Sequence, residues 1–177
     1  NLYELSLTGE FYIFGYNPLL NDNVFSPYLT AGVSAFYMNP TTEYQGATYE
    51  LQPLGTEGQG NGAYGNKYSK YNFGIPFGAG AVIRLSESMD ISFDVVARRT
   101  FTDYIDDISG TYVNYNELAS INGEMAAILS DRTPEYLGIN EPLNRSTGEK
   151  RGGENVKDWF FTAMVSFGFN LTDYESL

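Results

Sequence analysis

The residue types that usually carry enzyme chemistry are scarce in this 177-residue chain, which contains neither histidine nor cysteine. Disulfides, thiolate metal sites, cysteine nucleophiles and Ser–His triads are therefore excluded within it. The tightest carboxylate cluster is Asp103, Asp106 and Asp107. Calcium takes several oxygen ligands, so this cluster is a candidate Ca²⁺ site, but the EF-hand pattern is not met and a solvated acidic turn is the alternative. We expect no catalytic residue and no cofactor.

A glycine-rich stretch at residues 55–62 is only superficially similar to a phosphate-binding loop. No Gly-Lys-Ser/Thr follows it, and no helix pattern opens after it. We therefore expect a flexible loop without nucleotide at this point of the chain.

The charge balance and composition narrow the function classes further. The chain has 22 Asp and Glu against 10 Lys and Arg, a net charge of −12. Binding to a phosphate backbone needs a basic surface, so nucleic acid is excluded as a partner. Aromatic residues reach 16%, charged residues only 18%, and there are 19 glycines. This composition favours β-structure and is typical of membrane barrels with aromatic girdles.

Five segments alternate apolar and polar residues, at 3–13, 29–37, 71–85, 89–98 and 158–171. Their length of roughly 9–15 residues exceeds the ordinary strand of about 5–6 and suits tilted membrane strands, which need about 9–11. We predict an all-β fold, an OmpA-like antiparallel transmembrane β-barrel integral to the bacterial outer membrane and in contact with its lipid. A soluble barrel or sandwich is the alternative.

The polar faces of these segments mix charged residues with Gly, Ser and Thr, as a small lumen filled by paired charges requires. Arg84 would stand opposite Asp90 across a tight hairpin centred on Glu87, and Arg98 could meet Asp158. Pro76 predicts a bulge or a locally unpaired position in the third segment. The predicted interior charge network is Glu4, Glu10, Arg84, Asp90, Asp94, Arg98 and Asp158. The aromatic residues expected in interface belts are Tyr3, Phe14, Tyr16, Tyr28, Tyr37, Tyr71, Trp159 and Phe169.

The connections alternate between short and long. In outer-membrane barrels short connections face the periplasm and long ones face outside. Residues 38–69 and 100–157 would then be extracellular, and the second contains one short helix at 116–131, with Asn114 and Glu117 as its capping pair. Its apolar stripe packs on the loop or the barrel rim, or docks a partner. The periplasmic docking candidates are Asn17, Asn21, Asp22, Asn23 and Glu87.

Barrel closure sets the expected strand number. Bacterial single-chain barrels have an even number of strands, and about eight leave a lumen filled by side chains. We therefore expect residues 1–177 to form one barrel domain that supplies five of eight strands, with three strands preceding Asn1.

Three segments, at 49–58, 75–80 and 98–112, resemble the DUF6089 family, which includes PorG-like outer-membrane proteins of the type IX secretion and gliding machinery of Bacteroidota. The resemblance covers residues 1–112 and the last strand. It implies a small, non-enzymatic barrel that associates with a periplasmic ring of a PorK-like lipoprotein and a PorN-like protein. It supplies no catalytic or ligand residues. The signal peptide and the opening strands of the family pattern are missing at the front of this chain.

The leading functional prediction is thus a non-enzymatic barrel subunit that anchors a periplasmic ring assembly of this protein transport and gliding motility system. A surface receptor or adhesin that binds ligands through the two long acidic loops is the alternative. An outer-membrane lipase is the third hypothesis, and the absence of histidine argues against its usual triad.

Overall fold

The computed structural model describes residues 1–17, 23–153 and 156–169. Five long strands form one antiparallel sheet in the order β1-β2-β5-β6-β7, and a two-stranded sheet pairs β3 with β4. Strands account for 44% and helices for 15% of the chain, which confirms the mainly β prediction. The strands are β1 (Leu2–Tyr12), β2 (Phe25–Met38), β3 (Thr41–Tyr44), β4 (Ala47–Glu50), β5 (Tyr71–Arg84), β6 (Met89–Thr100) and β7 (Trp159–Phe169). The helices are α1 (Leu51–Leu54), α2 (Tyr115–Asn122), α3 (Glu124–Ser130) and α4 (Thr133–Leu137).

The long sheet follows the chain order of its strands, and β1 and β7 are its two edges. No closed barrel is formed by the residues that the structure describes. Every one of the five strands had been predicted, because each carries two chemically different faces at period two. None of the helices in the described ranges is long and apolar enough to cross a membrane.

Pro76 does not produce a bulge in the pairing of β5 with β6. The register runs unbroken from Gly74 opposite Thr100 to Arg84 opposite Asp90, so the predicted Arg84–Asp90 alignment is confirmed. The Leu85 amide donates to the Met89 carbonyl. Because hydrogen-bonded pairs alternate with non-hydrogen-bonded pairs in an antiparallel ladder, the odd-numbered residues of β5 direct their backbone N–H and C=O groups toward β6, and the even-numbered residues direct theirs toward β2. The missing proline donor therefore faces β2, the other neighbour of β5, and the register with β6 is preserved.

The chain divides into two compact units. The sheet unit consists of Leu5–Ala35, Phe73–Thr100 and Trp159–Leu177, of which residues 18–22 and 170–177 lie outside the described ranges. The loop unit consists of Asn1–Glu4, Phe36–Asn72 and Phe101–Asp158. The prediction of a single barrel domain is not tested by this division and stays a prediction.

The loop unit is more ordered than the sequence predicted. The first long connection contains the β3–β4 hairpin, whose turn residues Gln45 and Gly46 both have positive φ, at 49° and 79°. Two positive φ values are the geometry of a type I′ turn. The loop at 55–62, expected to be flexible, is buried in its first half, at Thr56, Glu57 and Gln59.

The predicted single helix at 116–131 is two helices. Gly123, at φ +94°, ends α2 and precedes α3. Asn114 is the N-cap as predicted, and its side chain accepts from the Asn116 amide. Glu117 does not complete a capping box, because its carboxylate accepts from Tyr64 and Thr147 hydroxyls instead. The small core of the unit is Val113, Leu118, Ala126 and Ala127. The predicted apolar stripe thus packs within the loops.

Candidate functional site

The two faces of the long sheet show an inverted pattern of burial. On one face large apolar side chains are exposed: Leu7 is 78% exposed, Phe73 66% and Phe161 68%. The alternating residues of β2, such as Ser26, Thr30 and Ser34, are polar and buried. A soluble sheet with one solvated face buries its apolar side. This sheet does the opposite, and the exposed apolar face continues through Leu5, Phe11, Leu29, Val33, Phe77, Phe93, Val95, Val165 and Phe167.

The polar face is concave. A cavity of about 360 Å³ is lined by residues from all five long strands, including Ser6 of β1, Thr30 of β2, Val82 of β5, Ser92 of β6 and Ser166 of β7. One cavity can touch five consecutive strands only if the sheet curls around it. We call this side the concave face and the apolar side the convex face.

Three carboxylates on the concave side each accept a hydrogen bond from a tyrosine hydroxyl. Tyr12 donates to Glu10 at 2.5 Å, and Tyr16 donates to Asp90 at 3.2 Å. The third pair joins Tyr28 of β2 to Asp94 of β6, across the intervening strand β5. The three rings pack together: the ring centroid of Tyr12 lies 5.4 Å from that of Tyr16 and 5.0 Å from that of Tyr28.

Two glycines make room for these pairs. A Cβ atom at Gly80 would meet the Tyr28 ring at 2.5 Å and the Asp94 carboxylate at 2.7 Å. A Cβ atom at Gly168 would overlap the Asp90 carboxylate. Gly80 and Gly168 are therefore required by the side chains that cross over them.

The two arginines of the concave face are buried, with Arg84 8% and Arg98 6% exposed. Arg84 donates to the Asn17 carbonyl at 2.8 Å and lies over the Tyr16 ring. Arg98 donates to the Val96 carbonyl at 2.9 Å and to the Thr162 hydroxyl. Arg84, Asp90, Asp94, Arg98 and Glu10 thus share the concave face, and their role as a charge network inside a barrel stays a prediction.

Tyr16 and Tyr28 were predicted in the interface belt, and that assignment is wrong. Tyr28 is only 3% exposed and Tyr16 is half-buried, and both serve the carboxylates of the concave face. The parity of β2 carried the signal, because Tyr28 alternates with Leu29 and shares its side with Thr30.

The other two members of the predicted network, Glu4 and Asp158, belong to the loop unit. Glu4 is half-buried on β1. Asp158 precedes β7 and belongs to the loop unit, where its carboxylate accepts from the Ile105 amide at 2.8 Å. Burial raises the pKa of this carboxyl above its ordinary value. The Asp158 carboxylate therefore stabilises a turn of the loop unit.

The predicted docking residues lie in turns. The Asn23 amide closes the turn after β1 by donating to the Phe14 carbonyl at 2.8 Å. Asn17 is exposed and its carbonyl accepts from Arg84, and Glu87 is exposed in the hairpin between β5 and β6. Asn21 and Asp22 lie outside the described residues.

The loop unit contains a buried ion pair that the sequence did not reveal. Arg151 lies 3.0 Å from Glu57, and each side chain is 6% exposed. The Glu57 carboxylate also accepts from the amides of Ser109, at 3.0 Å, and Gly110, at 3.2 Å. Arg151 donates further to the Asp107 carbonyl at 2.9 Å. This pair joins both long connections, which are far apart in the chain.

The candidate calcium ligands are not assembled into a site. Asp107 is buried and its carboxylate accepts from Thr56 and Tyr68 hydroxyls. Burial raises the pKa of this carboxyl. Asp103 accepts from Ser109, and Asp106 accepts from the Ile108 amide. Within the described ranges no group of three acidic residues could hold a metal ion, because these carboxylates are directed at separate protein donors.

A cleft of about 670 Å³ lies within the loop unit. Its two arginines are already engaged: Arg132 donates to Glu135 at 2.7 Å, and Arg145 donates to Asp131 at 2.8 Å and Glu149 at 2.7 Å. The cleft therefore offers no uncommitted arginine for an anionic ligand.

The loop unit should lose stability in alkali. Burial raises the pKa of Tyr68 above its ordinary value near 10, and so does the adjacent Asp107 charge. Above about pH 10 the unfolded chain releases this proton while the folded chain keeps it, so the free energy of unfolding falls by up to about 1.4 kcal/mol per pH unit. Urea unfolding between neutral pH and about pH 11 measures the slope. The same series with Tyr68→Phe should be flatter, and an unchanged slope would assign the loss to other groups.

No protein-family model, no curated protein and no solved structure matches this chain.

Proposed function

We propose that this chain forms part of an integral outer-membrane β-barrel whose convex face contacts lipid hydrocarbon. The inverted burial of the long sheet carries this proposal. A large exposed apolar surface is unstable in water, and in a membrane barrel the same alternation of apolar outside and polar inside is required. The strand lengths also fit, since β1 and β7 have 11 residues each and β6 has 12, against about 9–11 needed to cross a bilayer.

Aromatic residues at the strand ends support the same proposal. Within the loop unit Tyr3, Tyr37 and Tyr71 form a row on three neighbouring strands, with ring centroids 6.4 Å and 5.2 Å apart. Within the sheet unit Trp159 packs edge-on against Phe77 at 5.7 Å. Amphipathic rings of Tyr and Trp favour the headgroup region, which is where barrel girdles lie.

The two open edges of the sheet support a barrel with more strands than these five. Unpaired N–H and C=O groups along β1 and β7 would each cost several kcal/mol in hydrocarbon. Three further strands would give the even number eight, at which side chains fill the lumen. The tyrosine–carboxylate pairs and the buried arginines would occupy part of that lumen.

For the role of this barrel we propose a non-enzymatic subunit that anchors a periplasmic ring assembly of a type IX secretion and gliding system, with PorK-like and PorN-like ring proteins as partners. The support is the resemblance of residues 49–58, 75–80 and 98–112 to the PorG-like family. A non-enzymatic role is further supported by the concave face, where Glu10, Asp90 and Asp94 accept from tyrosine hydroxyls and the two arginines donate to backbone carbonyls.

The lipid contact is tested by the depth of Trp159, the one tryptophan of the chain. In vesicles of brominated lipids, bromine near the headgroups should quench Trp159 more strongly than bromine near the chain ends, because Trp159 is the first residue of β7. In Trp159→Phe/Val165→Trp the order should reverse, since Val165 lies in the middle of that strand. The absence of quenching at either depth would contradict the proposed membrane location.

Anchoring is tested at the hairpin that contains Glu87. We expect Glu87→Lys to lower the recovery of ring proteins that co-purify with the barrel from detergent extracts, because the substitution reverses an exposed charge at the proposed periplasmic rim. Glu141→Lys makes the same charge change at an exposed position of the loop unit and should leave recovery unchanged. Equal recovery from both variants would remove this hairpin from the docking surface.

A further inference from the structure

Two consecutive arginines near the end of β6 have opposite environments. Arg98 points to the concave face, where it is buried and hydrogen-bonded. Arg99 points to the convex face and is exposed. Among the residues that the structure describes, the Arg99 guanidinium has no hydrogen-bond or ion-pair partner. It is also the only charged side chain on the convex face of the five long strands, within those same described residues.

The position of Arg99 in the sheet is defined by its register. It lies opposite Ile75 of β5 on one side and opposite Trp159 of β7 on the other. Only Thr100 follows it in the strand. An arginine is costly in the middle of a bilayer and well tolerated near the interface. Together with the adjacent tryptophan, this places Arg99 at the level of the lipid headgroups if the convex face is embedded in lipid.

We propose that Arg99 binds the phosphate group of an anionic membrane lipid. The guanidinium fork matches two phosphate oxygens, and no protein carboxylate in the described residues competes for it. The apolar surface beside it, formed by Ile75, Trp159 and Phe161, is exposed and suits the acyl chains of the same molecule. A free phosphate would leave that surface uncovered, so the occupant is a lipid. This inference rests on the proposed membrane location.

The experiment uses Trp159 as the reporter. The full chain is reconstituted into vesicles that contain a fixed fraction of brominated phosphatidylglycerol or brominated phosphatidylcholine, and the quenching of Trp159 gives the relative association of the two lipids. We expect the anionic lipid to associate about fivefold more strongly than the zwitterionic lipid. Arg99→Gln should bring this ratio close to one, and Arg99→Lys should retain part of it because the charge remains.

The matched control is Lys150→Gln, which removes one positive charge from an exposed position of the loop unit and should leave the ratio unchanged. Inorganic phosphate added to the vesicles should not lower the ratio. Loss of selectivity on adding it would show a site for soluble anions and overturn the assignment to a lipid.

The outcomes separate this inference from the proposed function. If neither brominated lipid quenches Trp159, the membrane location itself fails. If both quench equally, the convex face contacts lipid but Arg99 selects none, and the inference fails alone. Selectivity that survives Arg99→Gln would also overturn it.

Discussion

Val95→Arg should destabilise the protein in lipid vesicles by about 2–4 kcal/mol, the cost of an arginine near the middle of a bilayer. Val95 lies mid-strand in β6, between Ala79 of β5 and Ala163 of β7, and its side chain is 60% exposed on the convex face. No polar residue in those two register positions can shield the new charge. Urea titration of the folded fraction in vesicles measures the change.

The control for Val95→Arg separates lipid from water. Val95→Leu keeps the site apolar and should change stability little, and Ser86→Arg places the same charge in the exposed hairpin. On a water-exposed surface Val95→Arg would stay within about 0.5 kcal/mol of the parent protein. A neutral or stabilising result would therefore favour a soluble sheet over a membrane sheet.

Arg151→Met should destabilise the loop unit by about 3–5 kcal/mol, because it leaves the Glu57 carboxylate buried without its counter-charge. The Ser109 and Gly110 amides, which donate to Glu57, should then exchange their hydrogens faster. Native-state hydrogen exchange in the full chain measures this loss.

Two further variants test whether the loss of stability in Arg151→Met comes from the unpaired buried charge. Arg132→Met breaks an exposed pair with Glu135 and should cost less than about 1 kcal/mol. Glu57→Gln combined with Arg151→Met removes both charges and should recover part of the stability. Equal effects of Arg151→Met and Arg132→Met would mean that the buried pair contributes no more than a surface pair.

Most of the long sheet could be predicted from the sequence, and little of the structure of the loop unit could. Period two is strong in these strands because one face must be apolar and the other polar, and even the Arg84–Asp90 register followed from the hairpin centre. The Glu57–Arg151 pair spans 94 positions, so no local spacing could predict it. The β3–β4 strands have four residues each, too short for a periodicity signal. Only Gln45-Gly46, between Tyr44 and Ala47, indicated their turn.

The aromatic residues show a different limit. Tyr3, Tyr37 and Tyr71 were placed correctly at strand ends, but Tyr28 was assigned by residue type when its parity indicated the other face. Tyrosine is suited both to a headgroup belt and to a carboxylate partner, because it combines an apolar ring with a hydroxyl donor. Parity decides between these roles, and it was the more reliable guide here.

The arrangement of the long connections explains how so small a core can hold the loop unit together. Its central cluster has four buried apolar residues, and Phe36, Met38 and Leu129 are also buried in this unit, which is a small apolar core for an autonomous domain. However, residues 39–70 begin and end on β2 and β5, and residues 101–158 on β6 and β7, which are neighbouring strands in each case. Strand pairing brings the ends of each segment together. The contacts of the loop core therefore do not have to offset the entropic cost of closing each loop. The paired strands restrict the unfolded conformations of these segments, as covalent cross-links between their ends would. The same segments, excised as peptides, should therefore remain unfolded.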